Sequence, residues 1–326
     1  MRTLLRRISR RRRKGAASTQ PIQIVVTPTS GNGTAMQTAL RLRDALVTRG
    51  RETSLEVFEN LESLNQWAET DGQPFAALVC VGGDGTQSAT ARAAVRRSVP
   101  FLPVSSGFGN LFARAFDHRN TMESALDLLA HGRVIHGDVG TRNGELFLCQ
   151  QSYGLIADVQ EAVESAAAAP RARWQRWLAY YRAALSHLRQ TPPARLRVVV
   201  DGRMVAVDAA LVIVANVKTY GPWLPLVPDA SPVDGLLDVF VMKGDTHREI
   251  FGKLLKSHLR LPGAAAGTLL CRGARVTVSG LGSGREQLEV LRGRLPVIVS
   301  PETAAALGQG GDRQEAQAPL ALDRVA

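Results

Sequence analysis

The chain has 326 residues, 45% of them hydrophobic and 21% charged, which is enough apolar material for two ordinary domains with full cores. Its longest apolar candidate, Ala209 to Ala215, is far short of the roughly 18 residues a membrane-spanning helix needs, and it reads as a buried strand. The formal net charge is +11, but residues 1–14 hold seven arginines and Lys14, so the body beyond them is only mildly basic, at about +3.

That N-terminal stretch is too basic and too poor in apolar residues for a signal peptide. Residues 1–20 read either as a solvated, disordered arm or as a tether to a membrane surface. In the tether, Leu4, Leu5 and Ile8 dip into the interface while Arg6, Arg7 and Arg10–Arg13 meet anionic headgroups. No aromatic is interleaved with the arginines to stack on bases, so nucleic acid is not an expected partner. Cys80, Cys149 and Cys271 lie far apart without metal or redox spacing, which predicts reduced, buried thiols and a cytoplasmic setting.

Beyond the arm, short apolar runs alternate with helix-length stretches. Ile22–Thr27 predicts a strand, Thr34–Arg49 a helix stopped by Gly50, Ser54–Phe58 a strand and Leu61–Glu69 a helix. Phe75–Val81 is a fully apolar strand, followed by helix Thr86–Arg97, strand Pro100–Val104 and helix Asn110–Phe116. Such alternation gives a parallel sheet with helices on both faces, so residues 21–135 predict a doubly wound α/β domain. After His131 the pattern changes. Leu146–Gln150, Leu196–Val200, Val205–Asn216, Leu237–Met242, Ala274–Ser279 and Leu295–Ser300 predict strands, interrupted by helices near Ala172–Gln190 and Thr246–Leu259. Residues 136–302 thus predict a mostly β domain built as an antiparallel sandwich, and residues 303–326 a flexible tail.

In an open α/β sheet, ligands bind beyond the carboxyl ends of the strands. Three glycine-rich turns fall at that edge. The first is Gly82-Gly83-Asp84-Gly85-Thr86, between an apolar strand and a helix. Its glycines allow close backbone approach to a phosphate, and the following helix adds its positive end. Asp84 would repel a phosphate, so it suits a metal ion or a hydroxyl, and Thr86 is placed to hydrogen-bond a nucleotide. The structural alternative is a tight turn in which Thr86 caps the helix. Ser105-Ser106-Gly107-Phe108-Gly109-Asn110 and Thr27-Pro28-Thr29-Ser30-Gly31-Asn32-Gly33 repeat the arrangement on neighbouring strands.

These segments resemble the diacylglycerol kinase catalytic-domain family, which includes bacterial lipid kinases and sphingosine kinases. The family's Asn-Pro-x-Ser-Gly-x-Gly motif resembles residues 27–33, with Thr27 for the asparagine, and its Gly-Gly-Asp-Gly-Thr motif is intact at 82–86. A Gly-Thr-Gly-Asn-x-Phe-Ala-Arg motif resembles residues 107–114. The second-domain motif matches Pro228, Ala230, Asp234, Gly235, Leu237, Asp238 and Val239. The resemblance implies a domain like that of NAD kinase and phosphofructokinase followed by a β sandwich, ATP and Mg2+ as cofactors, and a lipid hydroxyl as phosphoryl acceptor. It further implies nucleotide contacts at Ser30, Gly31, Gly82, Gly83, Asp84, Gly85, Thr86, Gly107, Phe108, Gly109 and Asn110, and a metal at Asp234. The implied partners are a lipid substrate at the inner membrane surface and anionic lipid for the arginine-rich arm. A homodimer is left open.

Three departures stand out. Gln87 replaces the usual glutamate after the intact motif, Phe108 replaces a nucleotide-contacting threonine, and the Asp-Gly-Glu turn that carries the family's catalytic base is absent. The stretch in its place, Ser279–Glu286, offers Glu286 as a substitute base with Glu289 behind it, and Asp84 is the other candidate. Two further readings stay open: a nucleotide- or lipid-binding protein without phosphoryl transfer, and a soluble-substrate kinase related to NAD kinases. NAD kinases share the Gly-Gly-Asp-Gly loop but also carry an Asn-Glu pair, a dipeptide this sequence lacks. The Trp- and Tyr-bearing helix around Ala172–Gln190 predicts core packing or membrane docking, and Tyr220–Pro225 a turn or an acceptor-pocket wall.

Overall fold

The computed structural model describes residues 20–28, 33–72, 74–107, 109–164, 179, 182–183, 193–218, 226–258, 267–281 and 284–308. The basic arm, Ser30, Gly31, Phe108, the Tyr220–Pro225 loop and all but three residues of the Ala172–Gln190 helix lie outside them.

The first half follows the alternation in the sequence: β1 (Ile22–Val26), α1 (Thr34–Thr48), β2 (Thr53–Val57), α2 (Leu61–Ala68), β3 (Ala77–Gly82), α3 (Asp84–Arg97) and β4 (Phe101–Ser105). The strands pair in parallel in the order β2-β1-β3-β4. Side chains alternate across each strand. Ile22, Ile24 and Val26 therefore pack with Ala35, Ala39, Leu42 and Leu46 of α1, while Val25, Leu78 and Cys80 pack on the other face with Leu64 of α2 and Ala89 and Ala93 of α3. Because α1 and α3 cover opposite faces, the chain direction switches between β1 and β3, and a crevice opens there at the carboxyl edge.

Local chemistry sets the helix starts. Asn60 accepts the Ser63 N–H at 2.9 Å ahead of α2, and Thr121 accepts the Ser124 N–H at 3.1 Å ahead of α5 (Met122–His131). Between β4 and α5 lies the short α4 (Leu111–Ala115), anchored by Phe112 against Phe101 and Phe116. Thr86 does not cap α3. The helix begins at Asp84 with Gly83 as its N-cap, so Thr86 is already inside the first turn.

The second half contains β5 (Arg133–Arg142), β6 (Glu145–Phe147), β7 (Gln150–Gly154), α6 (Leu155–Glu164), β8 (Leu196–Val200), β9 (Arg203–Ala209) and β10 (Leu211–Ala215). It continues through β11 (Leu237–Met242), α7 (His247–His258), β12 (Thr268–Gly273), β13 (Arg275–Leu281), β14 (Gly284–Val299) and α8 (Pro301–Gly308). The apolar run expected as one strand over Val205–Asn216 divides at Ala210, and its halves join different sheets. One layer of the sandwich is the antiparallel sheet β12-β11-β10-β7. The other is built from β5, β6, β8, β9, β13 and the first half of β14. Val212, Val214, Val239 and Val241 meet Val198, Val276, Val278 and Leu288 between the layers.

The sequence reading separates the domains between residues 135 and 136, but the structure has no linker there. β14 pairs with β13 at its start and runs in parallel beside β4 at Val297, while β5 accompanies it in antiparallel register from Leu288 to Val299. A ten-stranded sheet therefore runs through both halves. The seam is a bulge: Leu291 and Leu295 of β14 pair with Val139 and Gly137 of β5, so Arg292–Arg294 face Asp138 alone. Of the flexible tail expected over residues 303–326, residues 309–326 lie outside the described residues, and the part up to 308 is helical. Pro301–Gly308 form α8, with Ser300 accepting the Thr303 N–H at 3.1 Å and Ala304 and Leu307 packed on the first-half core. No helix among the described residues is long and apolar enough to cross a membrane.

Candidate functional site

Thr27, Gly83 and Ser106 follow the ends of three adjacent parallel strands, so chain topology alone gathers the glycine turns at one edge. The turns also touch one another. A Cβ on Gly107 would lie 2.7 Å from the Gly83 Cα and 3.1 Å from Asn110 Oδ1, and one on Gly109 would lie 2.8 Å from Asp84 Oδ2. Glycine at 107 and 109 thus serves loop-on-loop packing, a demand a single turn does not reveal.

Asp84 is the centre of this packing. Its Oδ1 accepts the Leu111 N–H at 2.9 Å and its Oδ2 the Asn110 N–H at 3.1 Å, so the carboxylate caps α4 from a distance of 26 residues in sequence. Burial pushes its pKa up, and the two backbone hydrogen bonds oppose that rise. Its own helix is left without a side-chain cap. The N–H groups of Asp84 and Gly85 at the start of α3 therefore remain open, beside the crevice and at the positive end of a 14-residue helix. Helix α1 likewise starts at Gly33 in a left-handed conformation, without a side-chain cap and without an acid in its first turn.

Around these donors sit Thr86, whose hydroxyl reaches that of Thr27 at 3.4 Å across the β1–β3 switch, and two buried oxygens without partners, Ser106 Oγ and Asn110 Oδ1. Exposed backbone donors next to orphaned polar atoms at a strand edge fit a phosphate-bearing ligand with hydroxyls. Gln87 makes sense here too. Fully buried, it donates to the Gly82 carbonyl at 3.2 Å and to Ser105 Oγ at 3.0 Å, locking β3 to β4 below the loops. A glutamate has no hydrogen to offer either acceptor when ionised.

Glu286 lies elsewhere, at the start of β14. Arg142 holds it with a fork of two 2.6 Å hydrogen bonds, and the Tyr153 hydroxyl lies beside it. Burial acts to raise its pKa, but the Arg142 and Tyr153 contacts outweigh that effect and hold the carboxyl below its ordinary range. A carboxylate held this way is a weak proton acceptor. Glu289 is exposed on the same strand. Asp234 closes a small turn by accepting the Leu236 N–H at 3.0 Å. Among the described residues no group of three or more His, Cys, Asp or Glu side chains is placed to hold a metal ion.

The sequence reading did not single out Asp138. This buried carboxylate accepts the Gly293 N–H from the β14 bulge at 2.7 Å and the Gly235 N–H at 2.6 Å, and its backbone oxygen accepts from Asn216 Nδ2 at 3.0 Å. It joins the seam to the 234–236 turn. An acid among the apolar residues of Val134–Val139 was the available signal.

Comparison with known proteins agrees with this geometry. The diacylglycerol kinase catalytic domain matches residues 21–142, and the YegS C-terminal NAD kinase beta sandwich-like domain matches residues 152–300. A Mycobacterium tuberculosis diacylglycerol kinase is 24% identical over 237 residues, covering 70% of this chain and 75% of the relative. One from Bacillus subtilis is 25% identical over 227 residues, 68% of this chain and 73% of its own. A crystal structure titled as a diacylglycerol kinase from Bacillus anthracis superposes with a TM-score of 0.60 at 18% identity, over 87% of this chain and 98% of that one. With two matched domains in family order and the intact Gly82–Thr86 loop at the strand edge, the chain belongs to the diacylglycerol kinase catalytic-domain family.

Proposed function

We propose that this chain is an ATP-dependent lipid kinase that transfers the γ-phosphoryl group to a lipid hydroxyl, with diacylglycerol or a related lipid as acceptor. The observation that carries the reading is the cluster of interlocked glycine turns at the β1–β3 switch, with the open α3 N-terminus pointing donors into it. Gly82, Gly83, Gly85, Thr86, Gly107, Gly109 and Asn110 would hold the nucleotide phosphates and sugar, together with Ser30, Gly31 and Phe108. Magnesium would travel with the phosphates, supplying charge neutralisation there.

In the transfer, the acceptor oxygen bonds to the γ-phosphorus as the bond to the β,γ-bridging oxygen breaks, and ADP leaves with that electron pair. The hydroxyl proton needs an acceptor. Asp84 suits the role better than Glu286: its pKa is raised by burial, and it stands in the phosphate loop. Glu286 instead orients Arg142.

The test is transfer of label from γ-labelled ATP to a total lipid extract by wild type, Asp84→Asn and Glu286→Gln. Asparagine keeps one acceptor for the α4 backbone, which alanine does not. We expect Asp84→Asn to retain nucleotide binding and lose at least about 100-fold in turnover, the usual scale for a general base. Glu286→Gln should lose much less. Locking of Glu286 by Arg142, and a β13–β14 turn without an acid, favour one second reading: a protein that binds nucleotide and lipid without transfer. Nucleotide binding with no labelled lipid in wild type would select it.

A further inference from the structure

A cavity of roughly 400 Å3 opens along β7, the edge strand of its sheet among the described residues, and is lined by Arg142, Gln150, Gln151, Ser152, Gln160 and Glu161 among others. The strand that lines it starts close to the phosphate loops: the thiol of Cys149, one residue before β7, meets the Phe112 backbone and lies near Asp84.

Among the described residues β7 pairs only with β10, and the Asn216 N–H bonded to the Cys149 carbonyl at 2.8 Å sets the phase of that ladder. Antiparallel residues alternate between bonded and non-bonded pairs. Gln150 and Ser152 therefore turn their backbone N–H and C=O outward, away from β10. Gln150 Oε1 is also buried without a partner. Three of the five guanidinium N–H groups of Arg142 are taken by Glu286 and Gln151, leaving two for a ligand.

Charge narrows the occupant. Arg142 is already neutralised by Glu286, so an anionic head finds no net attraction from it. An apolar head would leave donors and acceptors on the β7 edge stranded. A neutral group with several hydroxyls offers both at once.

We propose that this cavity seats a neutral, polyhydroxylated head of the phosphoryl acceptor, which makes the substrate class a lipid with a sugar or polyol head in place of the single hydroxyl of diacylglycerol. The inference rests on the lipid-kinase reading above. The test measures ATP-dependent labelling of monoglucosyl-dioleoylglycerol and dioleoylglycerol in mixed micelles, by wild type and Gln150→Leu. In parallel, the Tm shift with octyl glucoside below its micellar concentration is compared with that of a tetraoxyethylene octyl ether of equal tail.

The expected result is a preference for the glucosyl lipid of about tenfold or more that collapses toward unity in Gln150→Leu, since each lost hydrogen bond is worth about tenfold. Equal use of both lipids, or a preference untouched by Gln150→Leu, overturns the inference and leaves the kinase reading standing. If neither lipid is labelled but octyl glucoside raises Tm in a Gln150-dependent way, the cavity assignment survives and phosphoryl transfer falls. Absence of both effects ends both.

Discussion

Replacing Gly107 by alanine tests whether the glycine turns are interlocked. The added Cβ would stand 2.7 Å from the Gly83 Cα, about 0.7 Å inside ordinary contact, and 3.1 Å from Asn110 Oδ1. The opposing atom is backbone, so no side chain can swing aside, and the two loops must separate. Overpacking of this kind costs about 1–3 kcal/mol. At about 2–4 °C per kcal/mol for a domain of this size, Tm should fall by about 2–12 °C. Separation also moves Asp84 from the Asn110 and Leu111 N–H groups, so ATP affinity should fall at least about tenfold. Gly85→Ala is the control: its Cβ would meet only the end of the Leu61 side chain, at 3.3 Å, and it lies in a helix. Scanning fluorimetry on both variants and calorimetric ATP titration on Gly107→Ala decide the matter. If Gly107→Ala keeps wild-type Tm and ATP affinity, or if Gly85→Ala lowers Tm as much, the interlocking argument is wrong.

Restoring the family glutamate by Gln87→Glu should destabilise the protein by about 1–3 kcal/mol in urea unfolding, because the buried donor to Gly82 and Ser105 is lost. Arg142→Ala leaves Glu286 largely buried without its partner. Because the arginine itself is partly exposed, the cost should be about 1–2 kcal/mol, and Glu286→Gln in that background should recover part of it. Burial of His118 lowers its pKa from 6.5 to about 4, with the Ile298 carbonyl at 2.8 Å opposing the shift. The unfolded chain therefore binds the proton first. Stability should be complete above pH 6.5, fall by about 3 kcal/mol as pH drops to about 4, and level below that. His118→Gln should flatten this limb in denaturant titrations across pH.

Much of the first half was legible because its signals are local. Apolar runs such as Phe75–Val81, helix stops such as Gly50 and turn glycines at 82–85 depend on residues close in sequence. The parallel sheet and the gathering of three loops at one edge follow from that alternation. β5 and α5 escaped notice: His136 and Asp138 interrupt the apolar pattern of Arg133–Arg142, and Met122–His131 follows a polar turn without a glycine boundary. The sequence also offered β14 only as Leu295–Ser300, since its first half is polar on one face.

The sequence by itself determined that the intact Gly-Gly-Asp-Gly-Thr loop ends β3, and that the usual acidic turn of the second half is missing. Tertiary structure decided what the remaining acids do. Asp84 became the cap of a helix begun 27 residues later, and Glu286 became the partner of Arg142, 144 residues away. Asp138 became the tie across a seam made by one strand shared between both halves. Periodicity and motif spacing report which face a residue takes within its own element. Which charge meets which depends on how distant elements are brought together, and a carboxylate is a base, a cap or a clamp according to that meeting.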